Sequence, residues 1–357
     1  MAITRLSLEQ IGPLTDAEFN LVGGVNVLLG PNGTGKTIAA KALYALMKGL
    51  SDEVPPGTPA REAVRAKLAG VFRPDGGEVR RLVSRTQGKA RGRVRVDFDD
   101  RESIRLTIST AARTPIAALD YPKHDDEPSV PGPSLFLPSR EVLAMYEGFA
   151  AAYKQRELSF DETYYDTVLA LSAAALRGPS PGKLKEVKER LEREMGGQVR
   201  LEGARFYLHR RAVGRLEAHL LAEGTRKIGS IVHLIANGAL RQGGLLIWDE
   251  PEANLHPRLA EVVVDCLLAL AEGGVQVLIA THDYLVADAV SRAAEYRSIT
   301  KSKASVRFFQ LGFQDDGGVG VESADTFAAL ESNPLLDAFV EHHDREQDLI
   351  VQSLERR

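Results

Sequence analysis

Cysteine is nearly absent: Cys266 is the only one in 357 residues. An intrachain disulfide and a cysteine-built zinc site are therefore excluded, and a reducing, cytoplasmic compartment is expected. Tryptophan is equally scarce, with Trp248 alone. No apolar run approaches the roughly 18–20 residues of a membrane span. Apolar runs such as 244–248 and 275–280 are strand-length, so no membrane partner is expected. No charge of one sign dominates either. Lys and Arg total 45 and Asp and Glu 49, leaving −4, which excludes a histone-like polycation but allows a local basic patch. The N-terminus has no basic stretch followed by an apolar one, so no signal peptide is expected. Internal repeats and sustained heptads are missing too.

At about 100–200 residues per domain, this length allows two or three domains or one with an insertion. Ile3, Leu6 and Leu8 alternate as in a strand, and Gly12-Pro13 breaks the run. Val25-Asn26-Val27-Leu28-Leu29 predicts a second strand, and residues 37–48 have helical spacing. Residues 51–111 read as a mostly antiparallel region, with strands at 79–82, 94–98 and 104–108. Residues 113–134 hold five prolines and Asp125-Asp126-Glu127, which suggests a surface loop or partly mobile linker. A strand at 135–137 precedes helical spacing over 141–177 and a helix at 183–195. A hairpin at 198–208 turns at Glu202-Gly203. A helix within 225–240, a strand at 245–248, a helix at 257–270 and a strand at 275–280 follow. A hairpin around Asp315-Asp316-Gly317-Gly318 and a helix within 333–354 complete the chain.

Gly30-Pro31-Asn32-Gly33-Thr34-Gly35-Lys36-Thr37 fits G-x-x-x-x-G-K-[ST] between a strand and a helix. Its glycines admit torsions closed to other residues, so the backbone N–H groups can turn toward phosphate oxygens. Asn32, Gly33, Thr34, Gly35, Lys36, Thr37 and Ile38 are the expected nucleotide contacts. Lys36 would reach the terminal phosphates, and the Thr37 hydroxyl would hold Mg²⁺. Leu245-Leu246-Ile247-Trp248 is apolar on both faces, as in a covered parallel strand, and ends in Asp249-Glu250. These acids should emerge at the carboxyl edge of the sheet beside the phosphate loop. Asp249 then suits Mg²⁺ and Glu250 suits polarising the attacking water. His282 ends the next apolar strand, where a sensor of the terminal phosphate would sit.

Together these stretches resemble the ATP-binding-cassette type of ATPase head, in the branch holding SMC, RecF and OLD-type proteins. Residues 30–37 match its Walker A motif, 245–250 its Walker B, 252–256 its D-loop and His282 its switch histidine. The resemblance implies an α/β P-loop NTPase of ABC-ATPase type, with a mixed β-sheet core, an antiparallel β subdomain and a helical insert. It divides the chain into residues 1–140 (first part of the core), 141–200 (helical insert), 201–300 (second part of the core) and 301–357 (hairpin and helix). It also implies a signature loop that completes a partner's site. Glu223-Gly224-Thr225 stands 25 residues before Asp249, where Leu-Ser-Gly-Gly-Gln stands in transporters. The alternative is that Thr225 merely caps a helix.

A Q-loop is harder to place. Arg140 could touch phosphate or a partner, or Ser139 could cap a helix from Arg140; Gln155 is a further candidate. SMC-like arms and an OLD-like nuclease domain are not expected. Arg91, Arg93 and Arg95 share one strand face, either as a nucleic-acid contact or as a solvated edge strand. His342-His343-Asp344 reads as helix surface rather than a metal site.

The expected protein is an ATP- and Mg²⁺-binding ATPase whose two copies clamp two ATP molecules head to tail. It would act as a conformational switch in DNA maintenance or anti-phage defence. The alternative is a nucleotide-gated subunit whose effector is a separate protein. DNA is a possible partner, and a transporter ATPase is disfavoured by the signature and the insert.

Overall fold

The computed structural model describes residues 2–355 apart from 86, 125, 126, 129–131, 156, 177–181, 315, 316 and 332. The turn expected at Asp315-Asp316, the helix stop at Gly178-Pro179 and Pro181, and Asp125, Asp126 and Pro131 of the expected linker lie outside the described residues.

β1 (Ile3–Ile11) and β2 (Leu14–Asn20) pair across Gly12-Pro13, and β3 (Val25–Leu29) leads into α1 (Lys36–Gly49). α2 (Ala60–Phe72) and two 3-10 turns precede β4 (Arg91–Phe98), β5 (Ser103–Ser109) and β6 (Ile116–Asp120). The short pair β7 (Lys123–His124) and β8 (Glu127–Pro128) and then β9 (Ser134–Leu137) follow. Next come α3 (Phe149–Lys154), α4 (Glu162–Ser172), α5 (Gly182–Met195) and the ribbon β10 (Gln198–Glu202), β11 (Arg205–Arg210), β12 (Gly214–Glu217). α6 (Glu223–Ala236), β13 (Leu245–Asp249), α7 (Pro257–Glu272), β14 (Gln276–Ala280), α8 (Tyr284–Glu295) and α9 (Arg297–Thr300) complete the core. β15 (Val306–Phe313), β16 (Val319–Ala324) and α10 (Pro334–Glu355) close the chain.

The central sheet has the order β16-β15-β3-β14-β13-β9. β15, β3, β14, β13 and β9 run parallel, and β16 is antiparallel to β15. Their apolar side chains alternate between two cores. Val25, Val27, Leu246, Trp248, Val277 and Ile279 face the side of α6, α7 and α8. Leu28, Leu245, Ile247, Leu278 and Ala280 face α1. A second, antiparallel sheet, β2-β1-β4-β5-β6, packs into that same α1 core. α1 is consequently buried over most of its surface, which explains its small and apolar residues from Ala39 to Met47, interrupted only by Lys41. Two buried amides tie the layers together. Gln276 accepts from Ile3 N (2.9 Å) and donates to Ile3 O (2.7 Å), while Asn26 donates to Val22 O (2.8 Å) and accepts from Val22 N (2.8 Å).

Several local expectations are corrected. Residues 60–72 form a helix because Val64, Leu68 and Val71 share one buried stripe. Residues 79–82 form a 3-10 turn rather than a strand. The segment read as a linker contributes β6, whose Ile116 and Leu119 join the core. Helix does not run through 141–177: residues 141–148 are turns and irregular backbone, α3 begins only after Gly148, with φ +73°, and ends at Lys154, and α4 starts where Asp161 accepts from Thr163 N. No helix starts at Arg140, so Ser139 is not a cap. α6 begins at Glu223, so Thr225 lies inside the first turn instead of capping it.

Candidate active site

The parallel strands end together, so the loops after β3, β13 and β14 converge at one edge. The phosphate loop is wedged between β15 and the β1–β2 hairpin. Gly30 has φ +141°, and a Cβ there would stand 2.3 Å from Leu311 O. Gly35 has φ +97°, and a Cβ there would crowd Leu14 and Pro13 at 3.0 Å. Neither position tolerates a side chain. Thr34 is buried and donates to Pro31 O (2.9 Å), stapling the loop, while Asn32 and Gly33 stay exposed on its rim. Ile38 is half-buried and would meet a side chain added at Gly12. Lys36 donates to Gly30 O (2.6 Å) and Pro31 O (3.0 Å). Burial pushes its ammonium pKa down, opposed by Asp249, Glu250 and Glu252.

Thr37 donates to both carboxylate oxygens of Asp249, at 3.0 and 3.1 Å, and so joins the start of α1 to the end of β13. Burial raises the Asp249 pKa, and the Thr37 bond works against that rise. Glu250 follows with φ +48°, an uncommon value for a side-chain-bearing residue, and its N–H donates to Ala280 O (2.8 Å). His282 Nδ1 lies 3.3 Å from Glu250 Oε1 and 4.0 Å from Glu252 Oε1. The half-buried Glu252 accepts from Thr281 Oγ1 (2.7 Å), its other oxygen has no partner among the described residues, and burial raises its pKa.

Glu223-Gly224-Thr225 packs elsewhere. Asn254 Nδ2 donates to Glu223 Oε1 (2.8 Å), and a Cβ on Gly224 would stand 3.0 Å from Leu255. Among the described residues no hydrogen bond joins this segment to the phosphate loop of its own chain.

Sequence reasoning missed three contributors. Thr281 was passed over between a strand and a histidine. Arg226 pairs with the buried Glu141, beside the Ser139-Arg140 segment. Lys227 is 3% exposed and donates to Glu250 O, Ser139 O and Ala253 O. Burial pushes its pKa down to about 8. A signal existed for Lys227: it sits with Gly224, Ile228 and Ile231 on the buried stripe of α6. Trp248 is 1% exposed, as expected, with the Lys227 ammonium 5.7 Å from its ring centre.

The arginine face is partly paired, with Arg91 exposed. β4 is a central strand, not an edge, and Arg93 pairs with Glu9 at 2.5 Å while Arg95 and Arg5 flank Asp97. His342 and His343 are exposed on α10. Among the described residues no group of three or more His, Cys, Asp or Glu could hold a metal. Nor is any helix there long and apolar enough to cross a membrane.

Residues 25–288 match the family described as "AAA domain, putative AbiEii toxin, Type IV TA system". The chain belongs to this AAA-domain family. Membership implies nucleotide binding and ATP hydrolysis, usually with Mg²⁺. The chain is also similar to the DNA replication and repair protein RecF of Yersinia enterocolitica, 43% identical over 49 residues, 14% of either protein. RecF of Erwinia tasmaniensis matches to the same extent. The chain thus spans about 14% of the length of these curated relatives.

Among solved structures, the SMC head domain from Thermotoga maritima aligns with TM-score 0.50 and 12% identity, over 91% of this chain and 99% of that one. An SMC head bound to the C-terminal winged-helix domain of ScpA aligns with TM-score 0.53 and 14% identity, over 93% and 100%. These likenesses establish an SMC-head type of P-loop fold. The residues fit the implied ligands. A hydroxyl and a carboxylate in contact are hard oxygen donors suited to Mg²⁺. A loop with Gly30, Gly33 and Gly35 at positive φ, at the N-terminus of α1, suits phosphate.

Proposed function

We propose that the AAA-domain protein hydrolyses Mg-ATP at a head-to-tail interface between two copies and acts as a nucleotide-driven switch. The observation that carries this reading is the convergence of Thr37 and Asp249 with Glu250 and His282 at one sheet edge. The phosphate-loop N–H groups and Lys36 bind and orient the terminal phosphates. Bound Mg²⁺ supplies charge neutralisation there, held by Thr37 and Asp249. Glu250 accepts the proton of the attacking water, and His282 orients Glu250 and responds to the terminal phosphate. Glu223, Gly224 and Thr225 lie away from their own phosphate loop, which supports their use on the nucleotide of a second copy.

The domain division expected from sequence is part of the same proposal, with residues 141–200 as the lobe that responds to nucleotide. The RecF similarity and the family's description support a role in DNA maintenance or defence. The test is Glu250→Gln: hydrolysis should fall by about 100-fold or more while ATP binding persists. Hydrolysis at the unaltered rate would remove Glu250 as the base.

A further inference from the structure

Lys227 is a buried charge that no carboxylate contacts directly among the described residues; Glu252, Glu223, Glu250 and Asp249 act on it only from a distance. Its ammonium has three protons, and each has a carbonyl: Glu250 O at 2.8 Å, Ser139 O at 3.0 Å and Ala253 O at 3.1 Å. Those carbonyls belong to the end of β9 and to two points of the loop after β13. Burying a lysine costs free energy that such bonds only offset, so a purely structural anchor would be better served by an apolar side chain.

The bonds fall where the backbone needs holding. Glu250, with φ +48°, and Asn254, with φ +62°, both occupy the left-handed region, which persists in side-chain-bearing residues when surroundings over-determine it. Asn254 is tied a second time, through Glu223. Gly224 packs so closely on Leu255 that a Cβ would crowd it at 3.0 Å. The first turn of α6 and the 250–255 loop are therefore one mechanical unit.

We propose that Lys227 is a positioning residue that locks the first turn of α6 to the loop carrying Glu250, so that whatever engages Glu223-Gly224-Thr225 sets the orientation of the base in the same chain. The proposal rests on the hydrolytic reading above. It makes each copy's readiness to hydrolyse depend on the contact that the copy makes with its neighbour's nucleotide.

The experiment compares the full chain with Lys227→Met, which keeps the stem against Trp248 and removes the donors. Steady-state hydrolysis and amide exchange are read together. kcat is expected to fall about tenfold or more while KM for ATP stays within about threefold, because a misoriented base costs rate and not binding. Exchange at Ala253 and Leu255, whose N–H groups bond Glu250 O and Glu252 O, should rise about tenfold. Exchange at Ala39, bonded to Gly35 O, should not change. Unchanged exchange at Ala253 and Leu255 overturns the lock whether or not the protein hydrolyses ATP. An unchanged kcat in a chain that does hydrolyse overturns the positioning role.

A wild-type chain without hydrolysis would sink the hydrolytic reading, and with it the base that Lys227 is proposed to orient. The exchange arm would then still say whether the lock exists. Should Lys227→Met not fold, Asn254→Ala breaks the exposed tie to Glu223 instead, and the same two readings decide.

Discussion

Eight consecutive residues, 30–37, build the phosphate loop, and the bonds that shape its cradle are short-range: Lys36 to Gly30 and Pro31, Thr34 to Pro31; Thr37, at its end, reaches Asp249 across 212 positions. The loop facing it, 250–256, is assembled from afar. Lys227 reaches it from 23 and 26 positions away and Asn254 bonds Glu223 across 31. One loop is a backbone cradle whose shape comes from glycine. The other is held by a buried ammonium from a different helix and by its own Asn254 amide, which donates to Glu223 of that helix. A cradle of the first kind binds without outside help, whereas a loop of the second kind takes its geometry from its neighbour. That is the property a switch needs: binding on one side and conditional chemistry on the other.

The sharpest way to break the contrast is at Gly30. Gly30→Ala places a Cβ against Leu311 O in a left-handed backbone, so ATP affinity should fall about 100-fold or more by equilibrium titration. Near-normal affinity would mean that the cradle adapts. A second intervention tests what lies behind it. On α1, two turns past Thr37, Tyr44 donates to Asp166 (2.7 Å), and Lys67 donates to Asp166 and Glu162. Asp166→Ala leaves buried donors unmatched and should cost about 3 kcal/mol in denaturant unfolding. A loss below about 1 kcal/mol would mean that water replaces the carboxylate.

The smallest effect lies in the antiparallel sheet, far from both loops. Burial works against ionisation of Asp97, but bonds from Arg95 and Arg5 hold its carboxyl below the ordinary value. That stability is present above the unfolded carboxylate pKa of about 3.9 and is lost as pH falls through the lower folded value. Asp97→Asn should therefore cost about 1 kcal/mol at neutral pH and nothing in strong acid, read from unfolding midpoints across pH.

The same contrast explains which parts were legible in sequence. Residues 30–37, the apolar strands ending in Asp249 and His282, and the helix after Pro257 carry their signals locally, and the structure has them in place. Lys227 carried a signal only in retrospect, because its three acceptors are carbonyls, which no residue type announces. Arg93 of β4 looked free because its partner, Glu9, lies 84 positions away. α2 was hidden by flanking proline and glycine, and β6 by a proline-rich stretch whose apolar residues are few.

The central claim is that a complete site needs two copies, and the most direct measurement is the mass of Glu250→Gln in solution by light scattering, with and without Mg-ATP. The account predicts a monomer alone and a dimer with Mg-ATP. A mass that stays monomeric while Trp248 fluorescence reports bound nucleotide would contradict it.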